Sequence, residues 1–251
     1  MILRTLPVSA PHRARIAVCA DFHSVNRPMP VECALRLLRD ASPDMILFPG
    51  DLFSDTGRSG LRDCFNQNGL ALIEGAAGIA PGFYTTGNHE MGLSAENRRI
   101  LEDTGARVLM NESVRMGPFI VGGLASGFRK PQPRRLPSPP PDLDFIARFA
   151  AKEGYHILLC HHPEYWPLYI ADLGVELTAA GHAHGGQWRF FGQGIFAPGQ
   201  GFLPRYTSGL YRRDSSALAV SRGMTNSVRW VPRLFNPCEI LLLDLSPEAG
   251  P

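Results

Sequence analysis

Short apolar runs alternate with amphipathic stretches along most of this chain, the pattern of a layered α/β fold. RIAVCA at 15–20, MILF at 45–48, ILLC at 157–160 and ILLLDL at 240–245 read as buried strands, as do 83–86 and 175–179. Two further runs, 107–110 and 118–124, predict strands joined as a hairpin about Met116 and Gly117. Helical spacing appears at 31–40, at 61–77 with a break at Gly69, and at 142–153, where Leu143, Ile146, Phe149 and Ala150 share a face. Ser94 is placed to cap another helix that ends near Thr104 and Gly105. Beyond residue 184 glycines and aromatics crowd together without a helical period, which predicts β-hairpins.

The stretch 130–141, KPQPRRLPSPPP, holds six of the 22 prolines and can be neither helix nor central strand. It reads as an extended surface loop rather than a linker, because candidate chemistry lies on both sides of it. With no internal repeat, residues 1–251 read as a single domain. A composition 44% hydrophobic over 251 residues supports a sizeable core and excludes overall disorder. The formal charge of +2 gives no reason to expect a broad nucleic-acid surface. No apolar run approaches the ~20 residues of a membrane span, and prolines and arginines interrupt the first residues where a secretory signal would lie. Peripheral membrane contact stays open. The five cysteines are odd in number, scattered and without a CxxC pair, which fits reduced thiols and a cytoplasmic setting.

The histidines carry the chemistry. Six of the eight fall directly behind a predicted strand, and only His12 and His156 lie elsewhere. In open α/β sheets, ligands gather outside the carboxyl ends of the strands. Five strand ends here deliver Asp21 and His23, then Asp51, then Asn88 and His89, then His161 and His162, then His182 and His184. Alone, a Gly-Asp or Gly-Asn marks a turn, and a single histidine packs in a core or sits on a surface. Five such clusters in succession point to metal. Carboxylates, imidazoles and one amide suit Mn, Fe or Zn, and are too rich in nitrogen for Mg or Ca. Two ions ~3.5–4 Å apart sharing one carboxylate would use the whole set, and would turn a bridging water into hydroxide near neutral pH.

The blocks Asp21-Phe22-His23, Gly50-Asp51, Gly87-Asn88-His89-Glu90, His161 and Gly181-His182-Ala183-His184 resemble, in that order, the five-block signature of the calcineurin-like metallophosphoesterases. GHAHGGQ at 181–187, Ala197-Pro198, Tyr206 to Tyr211 and Ser221-Arg222-Gly223 resemble a bacterial branch of predicted phosphohydrolases. Many members of that branch carry an N-terminal membrane anchor, which is missing here, and some relatives act on lipid-linked nucleotide pyrophosphates. The resemblance implies a four-layer α/β/β/α sandwich of two mixed β-sheets flanked by helices. It implies that Asp21, His23 and His184 hold one metal, that Asn88, His161 and His182 hold the second, and that Asp51 bridges them. His89 would stand beside the phosphate, stabilising it or protonating the leaving oxygen. The implied cofactors are two divalent or trivalent ions, Mn, Fe or Zn, with Mn favoured for activity. Asp55, four positions after Asp51 where many relatives have an acid three on, is not counted as a ligand.

Three groups of residues stay outside that set. A strand alternates its side chains, so His161 and His162 should not both face one centre. The pattern of His, one variable residue, then Pro favours His161 and leaves His162 facing substrate or solvent. The aromatics Trp188, Phe190, Phe191, Phe196, Phe202, Tyr206 and Tyr211, together with Tyr165 and Trp166, are expected mainly to pack hairpins onto the sheet, the alternative being a groove for an acyl chain or a base. Arg205, Arg212, Arg213 and Arg222 could meet phosphates or form a solvated rim.

The expected function is a dinuclear-metal phosphohydrolase in which a metal-bridging hydroxide attacks phosphorus. Its substrate would be a small-molecule or lipid-linked phosphoester, with phosphodiester or pyrophosphate preferred on the branch resemblance alone. The alternatives are a metal-dependent nuclease, disfavoured by the weak net charge, and a non-catalytic scaffold with a retained metal site, disfavoured because every ligand position is filled.

Overall fold

The computed structural model describes residues 2–25, 27–54, 66–90, 93–127, 139–226 and 231–247. Asp55, the first part of the expected 61–77 helix and residues 130–138 of the proline-rich stretch lie outside the described residues. The order begins β1 (Ile2–Ser9), β2 (Ala14–Val18), α1 (Val31–Ala41), β3 (Met45–Pro49), α2 (Gln67–Ala77), β4 (Gly82–Thr85), α3 (Ala95–Asp103) and β5 (Arg107–Val108). It continues through β6 (Glu112–Met116), β7 (Phe119–Leu124), α4 (Leu143–Ala150), β8 (Tyr155–Cys160) and β9 (Leu177–Ala180). Four two-residue strands follow, β10 (Arg189–Phe190), β11 (Gln193–Gly194), β12 (Phe196–Ala197) and β13 (Gly201–Phe202). The last three are β14 (Gly209–Arg213), β15 (Ser216–Val220) and β16 (Glu239–Ser246).

Two six-stranded mixed sheets result, ordered β1-β16-β2-β3-β4-β5 and β14-β15-β9-β8-β7-β6. Strict alternation along each strand builds the layers. In β2, Ile16 and Val18 face the second sheet while Ala17 faces the helices. In β8, Ile157 and Leu159 point between the sheets and Leu158 and Cys160 point to the far side. Both faces are therefore apolar, as a sheet covered on both sides requires. Leu35 and Leu38 of α1 and Leu72 and Ile73 of α2 close the outer face of the first sheet. Phe145, Ile146 and Phe149 of α4, with Trp166, close that of the second. This is the expected four-layer sandwich. Ser94 caps α3 as the sequence suggests, its Oγ accepting from the Asn97 N–H at 3.1 Å, and Asp142 caps α4, its Oδ1 accepting from the Phe145 N–H at 2.8 Å.

One expectation needs correction. The run 107–110 does not pair with 118–124. It contributes β5 to the first sheet, beside β4, while the hairpin partner of β7 is β6, Glu112–Met116. β6 is edge strand with only intermediate burial and two charged residues, so it lacks the apolar signature. β1 was equally silent in the sequence. It runs parallel to β16 at the sheet edge, the place where Pro7 does least harm.

Candidate metal centre

The carboxyl ends of β2, β3 and β4 in one sheet and of β8 and β9 in the other meet at one place. The first sheet delivers Asp21, His23, Asp51, Asn88 and His89, and the second delivers His161, His182 and His184. Two glycines let the loops close on each other. A Cβ on Gly50, whose φ is +89°, would lie 2.4 Å from the Gly87 nitrogen, and one on Gly87 would lie 2.1 Å from Asp51 Oδ1. The Gly-Asp and Gly-Asn pairs are thus contact surfaces between neighbouring loops as well as turns.

His161 Nε2 is 3.2 Å from Asp51 Oδ2, 3.2 Å from Asn88 Oδ1 and 3.2 Å from His182 Nδ1. Its other nitrogen, Nδ1, lies 2.9 Å from the Pro49 carbonyl oxygen. That carbonyl can only accept, so Nδ1 carries a proton and Nε2, the nitrogen turned into the cluster, is the one left to bind a metal ion. Beside this group, His184 Nε2 lies 3.8 Å from Asp21 Oδ1, and the His23 ring stacks at 5.4 Å on that of His184. Asp21, His23 and His184 form one set of donors within 4.8 Å of one another, and Asp51, His161 and His182 form another; either could hold a metal ion. Asp51 also groups with His23 and His89, which places its carboxylate between the two sets.

Electrostatics fit a cation. Burial holds His23 down to about 3, and holds His182 and His184 well below the usual imidazole range, so their lone pairs are free of protons at neutral pH. His23 Nε2 and His182 Nε2 are buried nitrogens without a hydrogen-bond partner, the condition a bound cation relieves. Burial pushes the Asp21 carboxyl up to about 7, an elevation that positive charge would reverse. Burial also opposes charge on His161 and Asp51. Their mutual attraction outweighs it, lifting the imidazole to about 9 and holding the carboxyl well below its ordinary value. A metal ion would replace that proton.

Several residues take roles around the centre that the sequence alone did not indicate. Glu90 is fully buried and accepts the N–H groups of Asp51 at 2.9 Å, Phe53 at 2.8 Å and Gly87 at 2.8 Å, locking the β3 and β4 loops together. Burial, and next the neighbouring Asp51, push its carboxyl up to about 7. Arg233 Nη2 lies 3.2 Å from His184 Nδ1. A guanidinium only donates, so in this arrangement the His184 proton sits on Nε2, and a cation held between His184 and Asp21 would displace that proton together with the contact. His162 is buried rather than solvent-facing. Its Nε2 is 2.8 Å from Ser126 Oγ, its ring lies 4.5 Å from that of His182, and with His182 and Glu164 it forms a further buried group of donors within 4.8 Å of one another. His89 differs from the other site histidines. It is 39% exposed, its N–H donates to Asp51 Oδ1 at 2.9 Å, and its Nε2 is 4.0 Å from Asp51 Oδ2. It therefore stands at the mouth. Of the aromatics expected in the core, Tyr206 is buried, but Trp188, Phe190, Phe191, Phe196 and Phe202 are exposed.

A family model described as calcineurin-like phosphoesterase matches residues 14–186. Among solved structures, the chain is similar to the Thermus thermophilus sulfate thiohydrolase SoxB in complex with glycerol, at 12% identity and a TM-score of 0.48, covering 86% of this chain and 52% of that one. It is also similar to the Pseudomonas putida nuclease MPE, at 15% identity and a TM-score of 0.32, covering 80% of each chain. The chain thus spans about half the length of the thiohydrolase. No curated protein matches it.

Proposed function

The chain belongs to the calcineurin-like phosphoesterase family, and from that premise we propose that it is a phosphohydrolase working with two metal ions on phosphodiester or pyrophosphate bonds. One domain over residues 1–251 is part of this reading, because strands from both ends of the chain pair in one sheet. Asp21, His23 and His184 would hold one ion, Asn88, His161 and His182 the other, and Asp51 both. When bound, such a pair lowers the pKa of a water and neutralises charge on phosphoryl oxygens. The convergence of Asp51, Asn88 and His182 on His161 Nε2, each at 3.2 Å, carries the proposal.

The protein's own groups complete the chemistry. The Pro49 carbonyl fixes the tautomer of His161. Glu90 holds the Asp51 backbone and so the direction of its carboxylate. His89, open to solvent beside Asp51, is placed to hold a proton at Nε2 and pass it to a departing oxygen. Purified protein is expected to hydrolyse a chromogenic phosphodiester when Mn is added, and to stop on chelation. Absence of metal-dependent turnover on mono-, di- and pyrophosphate substrates would make it a scaffold.

A further inference from the structure

The ring of His182 has two nitrogens, and the pair of ions around Asp51 uses only one of them. Nδ1 lies 3.2 Å from His161 Nε2, among the second set of donors. Nε2 points out of the opposite side of the ring, so no single ion can take both. That second nitrogen is buried and has no hydrogen-bond partner. A buried polar atom left in that condition is costly and needs a physical reason. An ion held through Nδ1 does not supply one.

His162 and Glu164 complete a group around it. Both follow β8, while His182 follows β9, the next strand of the same sheet. All three are buried, and each offers one ligand atom within 4.8 Å of the other two. His162 Nδ1 is 3.7 Å from Glu164 Oε1. That separation is too long for a hydrogen bond. It suits two ligands of one ion, because atoms each ~2.0–2.2 Å from a tetrahedral centre stand roughly 3.4 Å apart. The first set of donors shows the same spacing, 3.8 Å between His184 Nε2 and Asp21 Oδ1. Ser126 Oγ, 2.8 Å from His162 Nε2, can accept the proton of that nitrogen and leave Nδ1 as the ligand. Gly199, with φ of +72°, lets the turn between β12 and β13 lie against the carboxylate, where a Cβ would stand 2.1 Å from Glu164 Oε1.

We propose that His162, Glu164 and His182 form a third cation site, distinct from the pair around Asp51 and joined to it through the ring of His182. Two imidazoles and one carboxylate suit Zn(II) or another borderline divalent ion and leave a position open. Mg or Ca would find too few oxygens. The protons balance. With Nδ1 on the second ion, Nε2 carries the last N–H proton of the ring. Binding at Nε2 releases that proton to the buffer and leaves an imidazolate between two ions. Glu164 and the imidazolate then supply two negative charges to a doubly charged ion. A hydrogen bond from His182 to Glu164 is the competing arrangement. It is disfavoured because no acceptor stands within hydrogen-bond distance of Nε2. The inference rests on the two-ion reading only for the Nδ1 side of this ring.

The test counts and locates zinc. The full chain is stripped with a chelator, dialysed against chelator-buffered Zn(II) and analysed for bound metal. Crystals of the same protein give an anomalous difference map at the zinc edge. Wild type is expected to hold about three equivalents, with one peak among His162, Glu164 and His182. Glu164→Gln keeps the size of the side chain and removes its charge. It should hold about one equivalent less and lose that peak alone. Asp51→Asn should keep that peak and lose zinc elsewhere. If Glu164→Gln fails to fold, His162→Phe replaces it with the same expected loss, and a metal-free thermal midpoint matching wild type shows that the fold is kept. The proposal is overturned if wild type shows no peak there or if Glu164→Gln holds as much zinc as wild type. It is also overturned if that variant only weakens the second ion, which would make Glu164 an orienting partner of His182. A peak at this place with none around Asp51 would leave this inference standing and remove the two-ion reading.

Discussion

The candidate metal centre and the exposed turns at Phe191, Leu203 and Phe235 both hold non-glycine residues in left-handed backbone, and they turn them in opposite directions. At the centre Asp21, His23, Asp51, His182 and His184 have φ between +47° and +64°, and all five side chains point into a nearly dry cluster. Asp and His are among the residues that adopt this conformation most readily. Phe191, Leu203 and Phe235 adopt it at a higher cost and point outward. One region buries polar groups and the other exposes apolar ones. Each breaks a burial rule and a backbone rule together, the combination expected where a surface serves something other than stability.

The comparison breaks most sharply at Asp51. Asp51→Asn removes the carboxylate between the two sets of donors. Because even an outer partner of a ligand is worth ~10–100-fold, turnover should fall by more than about 100-fold and metal content should drop, as measured on the purified variant. Near wild-type activity would dismiss the bridging role. His89→Asn should leave metal content intact and lower kcat by about 10²-fold, the loss expected for a general acid. Lost metal would instead place His89 among the ligands. Glu90→Gln keeps the shape but turns an amide N–H₂ toward backbone donors, so metal affinity should weaken by about tenfold in a competitive chelator titration.

Metal-free protein gives a pH test of the inward set. His23, His162, His182 and His184 have pKa values lowered from 6.5 chiefly by burial. As pH falls below 6.5 the unfolded chain takes up protons there that the folded chain refuses, so stability declines. Asp21 and Glu90, raised from 3.8 and 4.5 to about 7, act oppositely and gain stability over the same descent. Four groups outweigh two. His161, raised from 6.5 to about 9, loses its contribution as pH rises through that interval. The thermal midpoint of chelated protein should therefore peak near pH 6.5, and a midpoint still climbing at about pH 5 would contradict neutral buried imidazoles. The smallest effect belongs to the exposed turns. Leu203→Asn relieves strain on the order of 1 kcal/mol, a rise of about 2–4 °C by differential scanning fluorimetry.

Reading the chain from sequence worked where signals were local. Five strand ends bearing Asp, Asn or His could be recognised without knowing which sheet each strand joined, and the structure brings all of them together. Sheet membership is non-local, which is why the apolar pattern joins 107–110 to the wrong partner and marks no strand at Ile2–Ser9. Glu90 stood in plain view in the third block, but its task of bridging two loops is visible only in three dimensions. Arg233 lies 49 positions beyond the histidine it touches and offers no pattern at all. The exposed aromatics were illegible for a different reason. Aromatics usually pack inward, and nothing in the spacing of Trp188, Phe190, Phe191, Phe196 and Phe202 tells a ring at a turn tip from one packed on the sheet.

The placement of β16 has a consequence for the order of folding. It lies between β1 and β2, parallel to one and antiparallel to the other, so Leu241 pairs with both Arg4 and Val18. The loops that carry Asp21, Asp51, Asn88, His161 and His182 all lie between β2 and β16 in the sequence. Pairing those two strands therefore closes one very large loop, a step whose entropy cost makes it slow. Until it happens the first sheet stays open along β2 and shows an unpaired edge on which another chain could add.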